Sequence, residues 1–171
     1  KSFDDVINLS LGDPDLITDE RIIDAAFADA KRGYTKYSAF RGDPELRAEI
    51  CKFYKEEYDM DVKDEEVFVC TSACLGMYQV LEAILDDGDE VLMQAPYFTP
   101  YPQQVELARG IPVEVPTYEE EDFQIDVDRM ESLITERTKA LIINSPSNPT
   151  GNCLTVETME KIGKIAEKYD L

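Results

Sequence analysis

The chain has 171 residues, a length that suits one domain, and 43% of them are hydrophobic, which is enough for a sizeable core. Its formal net charge is −20, and because an acidic surface repels phosphate backbones, we expect no nucleic-acid partner. The sequence has no histidine, which excludes Ser-His-Asp and Cys-His catalysts within it, and no run approaches the roughly 20 apolar residues of a membrane helix, so we expect a cytoplasmic protein.

The cysteines do not form a recognisable metal-binding pattern. None belongs to a Cys-x-x-Cys pair, and no histidine is present to complete a zinc site. No calcium-loop motif of the Asp-x-Asp-x-Asp-Gly type accompanies the acidic runs at 86–87 and 119–122. We therefore predict no metal site. We expect free buried thiols, in a reducing cytosol, at Cys51, Cys70, Cys74 and Cys153.

The first 60 residues predict two helices with clear start signals. The pair Thr18-Asp19 can open a helix, and Gly33 would end it. Asp43-Pro44 combines an N-cap residue with a proline at the first helical position. This pair predicts a second helix that ends near Tyr58.

From residue 67 onward, short apolar runs alternate with segments of helical periodicity. We expect Gly110 to end the predicted helix 99–108. Pro112 should place its strand near an edge of the sheet, and the apolar run 140–144 should be a central strand. The alternation predicts an α/β fold of three layers, α/β/α, with a mostly parallel sheet. Strands are predicted at 67–70, 90–94, 111–115 and 140–144, and helices at 75–85, 99–108, 127–134 and 155–169.

Three loops that follow predicted strands hold candidate ligand-binding residues, and each also has a purely structural explanation. Segment 71–74 precedes a helix, where free backbone N–H groups and the helix dipole bind phosphate, although small residues also serve tight turns. The rigid segment 144–151 presents Asn148 as a neutral donor, or its asparagine bonds its own backbone. The aromatic side chains of 95–101 can stack on a flat ring or fill the core. Ligands in open α/β sheets bind at such strand ends.

The order of these loops, together with the short motifs between them, resembles the class I and II aminotransferases. These are pyridoxal-phosphate (PLP) enzymes of fold type I with the aspartate-aminotransferase fold. The resemblance covers essentially the whole chain. It rests on INLSLGDPD at 7–15, YTKY at 34–37, GDPELR at 42–47, GDEV at 88–91, APY at 95–97, RTKA at 137–140 and NSPSNPTG at 144–151.

The resemblance implies cofactor-binding roles for five residues of the three loops. Ser72, Ala73 and Cys74 match the turn that binds the PLP phosphate, mainly through backbone N–H groups. Ser72 stands where many relatives have glycine, so this turn can differ in detail. Phe98 matches the aromatic residue that stacks on the PLP ring, and Asn148 matches the asparagine that bonds its phenolic oxygen.

Two residues of the N-terminal part match family residues with other roles. Gly12 matches the glycine whose backbone lines the substrate carboxylate site. Tyr37 matches a tyrosine that reaches the cofactor phosphate of the neighbouring subunit, which implies a homodimer with shared sites.

The resemblance also implies that part of the active site lies beyond these residues. No lysine here stands in the family's Ser-x-x-Lys setting, and the last predicted helix ends where an αβ unit normally continues into a strand. We therefore expect a truncated chain that lacks the Schiff-base lysine and is inactive alone. Residues 13–171 would be the N-terminal part of the PLP-binding large domain, and residues 1–12 a segment next to the small domain.

The implied reaction of the full-length protein is amino transfer between an amino acid and a 2-oxo acid. One alternative is another PLP reaction on the same fold, of the carbon–sulfur lyase or aminocyclopropane-carboxylate synthase type, since these enzymes share the motifs. A second alternative is a non-catalytic aminotransferase-like domain of a transcription regulator. Such regulators carry a basic DNA-binding segment in front, and this acidic chain shows none.

Overall fold

The computed structural model describes residues 6–7 and 12–171, which form two compact units, Lys1–Val69 and Cys70–Leu171. Most of the predicted N-terminal segment, residues 1–12, lies outside the described residues, so its assignment stays a prediction. No helix of the described part is long and apolar enough to cross a membrane.

The first unit contains two helices that begin at the predicted caps. Helix α1 spans Glu20–Lys31, and the side chain of Asp19 accepts a hydrogen bond from the N–H of Arg21. Helix α2 spans Pro44–Tyr58, and the Asp43 carboxylate accepts from two N–H groups of its first turn. Both N-terminal predictions are confirmed, because cap signals act within one turn of the helix.

The predicted strand at 67–70 is wrong, since these residues have no sheet partner in the described part of the chain. The N–H of Val69 instead donates to the carbonyl of Arg41 at 3.0 Å. A Cβ on Gly42 would lie 2.5 Å from the Val69 Cβ, so the apolar run packs against a glycine turn. Val69 therefore packs against this turn, and the Phe68 ring meets the Phe40 ring edge to face, with centroids 5.4 Å apart, so neither residue is buried by the sheet.

The second unit contains a parallel sheet with three strands in its described residues. Strand β1 spans Glu90–Ala95, β2 spans Ile111–Pro116 and β3 spans Thr138–Ile142, and their spatial order is β2-β1-β3. Strand β2 is an edge strand, as its proline predicts. The central strand is β1 rather than β3, contrary to expectation: β1 pairs with both β2 and β3, and five of its six residues are buried.

Helices cover both faces of this sheet, which confirms the three-layer α/β/α fold with a parallel sheet. Helices α3, Ala73–Ile84, and α4, Pro100–Leu107, lie on one face. Helices α5, Val127–Ser132, and α6, Val156–Tyr169, lie on the other. The core on the α3–α4 side contains Leu81, Leu85, Val91, Met93 and Val105. The core on the α5–α6 side contains Leu92, Val115, Ile125, Met130, Ile162 and Ile165.

Gly110 follows α4 but does not supply its left-handed residue, contrary to the prediction. Arg109 takes that conformation, with φ +65°, and its Nε donates to the Asp87 carboxylate at 2.6 Å. A Cβ on Gly110 would lie 2.8 Å from Leu85 Cδ1 and 3.0 Å from Val105 Cγ1. Glycine is needed here because the chain passes close to the core, and not for its backbone freedom.

Candidate active site

The carboxyl edge of the sheet brings two of the predicted loops to the same side of the second unit. Strands β1 and β3 are parallel neighbours, so the loops that follow them leave the sheet at the same edge. Phe98 lies three residues after the end of β1, and Asn148 lies on the loop that follows β3.

The first turn of α3 presents backbone N–H groups at the positive end of the helix dipole. The Ser72 hydroxyl accepts the N–H of Leu75 at 3.1 Å, and the Ser72 carbonyl accepts the N–H of Gly76 at 2.9 Å. Within the described residues, the N–H groups of Ala73 and Cys74 donate to no protein group, as is usual for the first residues of a helix. This turn therefore offers two unused donors to an anion.

Close packing between Cys70 and Gly76 supports this turn from below. The Cys70 thiol donates to the Ser72 carbonyl at 3.2 Å. A Cβ on Gly76 would lie 2.9 Å from the Cys70 sulfur, so the turn closes tightly because position 76 has no side chain.

One cavity joins the first turn of α3 to the predicted aromatic residue. It has a volume of about 110 Å³. Phe98 is half-buried in its wall, and its ring meets the Tyr101 ring edge to face, with centroids 5.7 Å apart. The fold thus gathers Ala73, Cys74 and Phe98, three of the predicted residues. The residues that line the cavity are Ala73, Cys74, Met77, Phe98, Tyr101 and Gln104.

Asn148 is exposed on the same edge of the sheet, but it does not line this cavity. Its backbone N–H donates to the side-chain oxygen of Asn144 at 2.8 Å. Its own side chain makes no hydrogen bond to the described residues, so the alternative in which it bonds its own backbone does not hold. The turn is completed by the N–H of Gly151, which donates to the carbonyl of buried Ser147 at 2.8 Å.

The Asn148 loop is attached to the turn that precedes α5. The Asn152 side-chain amide donates to the Phe123 carbonyl at 3.0 Å, and the Gln124 amide donates to the Cys153 carbonyl at 2.9 Å. Side-chain bonds from two directions therefore hold the loop in one conformation and keep Asn148 at its tip.

Gly12 and Tyr37 belong to the first unit and are exposed there. Tyr37 lines a shallow depression with Thr35 and Lys36. Among the described residues other than its chain neighbours, no heavy atom lies within 4 Å of a Cβ built on Gly12. The roles implied for these two residues stay predictions.

At the amino edge of the sheet, a polar cluster surrounds Glu90, which is buried, with 6% of its surface exposed. Its carboxylate accepts hydrogen bonds from the Thr135 hydroxyl at 2.5 Å and from Arg137 at 2.7 Å, with the Thr138 hydroxyl at 3.5 Å. The Thr135 hydroxyl and, after it, the Arg137 guanidinium hold the pKa of Glu90 below its usual range, against the opposing effect of burial. Two motifs of the resemblance, 88–91 and 137–140, therefore meet in one structural contact.

The sequence did not identify Met77 and Gln104 of the cavity wall, and it included Tyr101 only as one aromatic residue of the segment 95–101. Gln104 is the most informative of them, because its side-chain amide donates to the Cys74 carbonyl at 2.9 Å while the residue is 8% exposed. A polar residue three positions after Tyr101 on a predicted helix was the available signal. Periodicity alone does not distinguish such a buried amide from one on the solvent face.

Comparison with known proteins gives a consistent result over nearly the whole chain. A sequence model of the family described as aminotransferase class I and II matches residues 4–171. Aspartate aminotransferase of Bacillus subtilis (strain 168) is 41% identical over 98% of this chain, which spans 42% of that protein. Aspartate aminotransferase of Geobacillus stearothermophilus is 43% identical over 94% of the chain, which spans 41% of its length.

Solved structures agree in fold. Aspartate aminotransferase from Thermus thermophilus with maleate has a TM-score of 0.92 at 39% identity, covering 95% of this chain and 43% of that one. Aromatic aminotransferase from Pyrococcus horikoshii OT3 has a TM-score of 0.93 at 40% identity, covering 99% and 46%. The chain thus spans less than half the length of the relatives it matches.

Proposed function

The chain belongs to the class I and II aminotransferase family, with the fold of PLP enzymes of fold type I, and we propose that the longer protein transfers an amino group between an amino acid and a 2-oxo acid. One observation supports this most strongly. The first turn of α3 and the aromatic residue after β1 line a single cavity at the carboxyl edge of the sheet.

The residues of this edge fit the phosphate and ring of PLP. The unused N–H groups of Ala73 and Cys74, at the N-terminus of α3, suit a phosphate dianion, and Ser72 caps the same turn. The half-buried ring of Phe98 can stack on a flat heteroaromatic ring. The Asn148 side chain, exposed at the tip of a well-held loop, can donate to the ring oxygen.

The cofactor, when bound, supplies an electron sink for charge that develops at the substrate Cα. This chain's residues bind and orient it. The Gly12 backbone would line the substrate carboxylate site, and Tyr37 would reach the phosphate bound in a second copy of the chain, so we propose a homodimer. Residues 13–171 would form the N-terminal part of the large domain, with residues 1–12 next to the small domain.

We also propose that the 171-residue chain has no turnover alone, because the family's Schiff-base lysine is expected elsewhere in the longer protein. Incubation with PLP, reduction with borohydride and mass spectrometry test this. We expect no stoichiometric pyridoxyl-lysine adduct, and such an adduct on a lysine of this chain would contradict the proposal.

Assays of the full-length protein test the reaction itself. The similar proteins include both aspartate and aromatic aminotransferases, so several amino acids should be tried as donors. Transfer of the amino group to a 2-oxo acid is the expected result. Release of ammonia and a thiol from a sulfur amino acid, without an amino acceptor, would instead indicate a carbon–sulfur lyase.

A further inference from the structure

Gln104 connects the two parts of the proposed cofactor site. It lies on α4, the helix that begins two residues after Phe98, and its side chain reaches the first turn of α3. The residue is 8% exposed and lines the same cavity as Ala73, Cys74 and Phe98. A buried amide in a wall that also contains Met77 and Tyr101 is unfavourable unless its polar atoms are used.

Its two polar atoms are used differently. Nε2 donates to the Cys74 carbonyl at 2.9 Å. Oε1 is buried and has no hydrogen-bond partner among the described residues. The side chain thus holds the backbone of α3 with one atom and presents an acceptor in the cavity wall with the other.

The bond to Cys74 completes a clamp on one peptide group. The peptide that joins Cys74 to Leu75 has its carbonyl held by Gln104 and its N–H held by the Ser72 hydroxyl at 3.1 Å. With both ends of this planar group bonded, the preceding N–H groups of Ala73 and Cys74 keep one direction. A phosphate bound there would meet donors that are already oriented.

We propose, on the premise of the PLP-dependent function above, that Gln104 is a positioning residue for the cofactor phosphate. It orients the first turn of α3 relative to the segment that carries Phe98. Gln104 acts on the phosphate through the backbone and does not touch the reacting atoms.

Gln94 offers a matched control within the same unit. It is also a buried glutamine, 5% exposed, and neither of its side-chain polar atoms has a partner among the described residues. It lies two positions after Leu92 on β1, so its side chain is on the α5–α6 face of the sheet, away from the α3–α4 layer.

The test compares Gln104→Met and Gln94→Met in the full-length protein. Methionine keeps the length of the side chain and removes both polar atoms. Dissociation constants for PLP and for pyridoxal, which has no phosphate, are measured by absorbance titration of the cofactor-free proteins, alongside their melting temperatures. For Gln104→Met we expect PLP affinity to fall about threefold to tenfold, the effect of one hydrogen bond, while pyridoxal affinity stays within about twofold.

The outcomes separate this inference from its premise. If the wild-type protein prefers PLP over pyridoxal and Gln104→Met keeps that preference, the positioning role is wrong and the PLP function stands, whatever happens to the melting temperature. An equal loss of preference in Gln94→Met would also overturn it, since the effect would not belong to the α3–α4 contact. If the wild-type protein does not bind PLP at all, the proposed function itself fails.

Discussion

The two edges of the sheet in the second unit use buried polar groups in opposite ways. At the amino edge, the carboxylate of Glu90 is buried and accepts bonds from Thr135 and Arg137. At the carboxyl edge, Gln104 Oε1 is buried without a partner in the described part of the chain, and the first N–H groups of α3 are unused.

This difference indicates which edge stabilises the fold and which can bind a ligand. A satisfied buried carboxylate contributes to stability, whereas each unsatisfied buried polar atom costs roughly 1–3 kcal/mol. An edge that keeps unsatisfied polar atoms therefore has groups that can form hydrogen bonds with a bound ligand. We therefore expect substitutions at the amino edge to affect folding, and substitutions at the carboxyl edge to affect binding.

The largest effect on folding is expected from Glu90→Ala. It removes the acceptor for Thr135 and Arg137, and we expect the free energy of unfolding to fall by about 2–4 kcal/mol. Glu114→Ala is the matched control, because Glu114 is exposed on edge strand β2 and accepts one bond, from the Tyr97 hydroxyl at 2.6 Å. Urea unfolding should show a loss below about 1 kcal/mol for the control. Equal losses would mean that the amino-edge cluster has no special role.

Gly110→Ala should disturb the same edge by crowding. The added methyl group would press on Leu85, Val105 and the Asp89 carbonyl, so we expect a loss of about 1–3 kcal/mol. Gly163→Ala gives the opposite sign, because Gly163 lies inside α6 with open space around it, and alanine favours the helix by about 0.5–1 kcal/mol. Thermal unfolding of both variants measures the two changes in stability. A Gly110→Ala variant that is more stable than wild type would contradict the prediction, since it would show that Leu85 and Val105 can move to make room for the methyl group.

Acid should weaken the amino edge. Because folding lowers the pKa of Glu90, its contribution to stability is present above the unfolded pKa of about 4.3 and is lost as the pH falls through the folded value. The stability difference between wild type and Glu90→Gln, measured by urea unfolding at pH 7 and near pH 3, isolates this group from the other carboxylates. We expect the difference to shrink at the lower pH. A difference that is constant with pH would show that ionisation of Glu90 contributes nothing.

The smallest effect on folding is expected at the carboxyl edge, for Asn148→Ala. Its side chain is exposed and makes no bond to the described residues, so the unfolding free energy should change by less than about 0.5 kcal/mol. In the full-length protein, however, PLP affinity should fall about threefold to tenfold through the loss of one hydrogen bond. Cofactor titration and chemical unfolding of the same variant provide both values. Unchanged PLP affinity would remove Asn148 from the proposed site.

Local signals in the sequence predicted the helices well. The caps Asp19, Asp43, Asp126 and Thr155 all accept backbone N–H bonds at the starts of the predicted helices. A cap interacts with residues two or three positions away, so the neighbouring sequence contains the whole interaction. The prediction of a strand at 67–70 was wrong for the converse reason. An apolar run indicates burial, but it does not show which part of the chain packs against it.

The sequence by itself determined the alternation of strands and helices, the parallel sheet, the family resemblance and the three loops that carry the candidate residues. Only the tertiary structure decided that Glu90 meets Arg137 across 47 positions and that Gln104 reaches Cys74 across 30. It also decided that β1 is central and that Ala73, Cys74 and Phe98 share a cavity that Asn148 does not line. These contacts depend on how helices pack on the sheet, and packing joins residues whose separation along the chain leaves no trace in local periodicity.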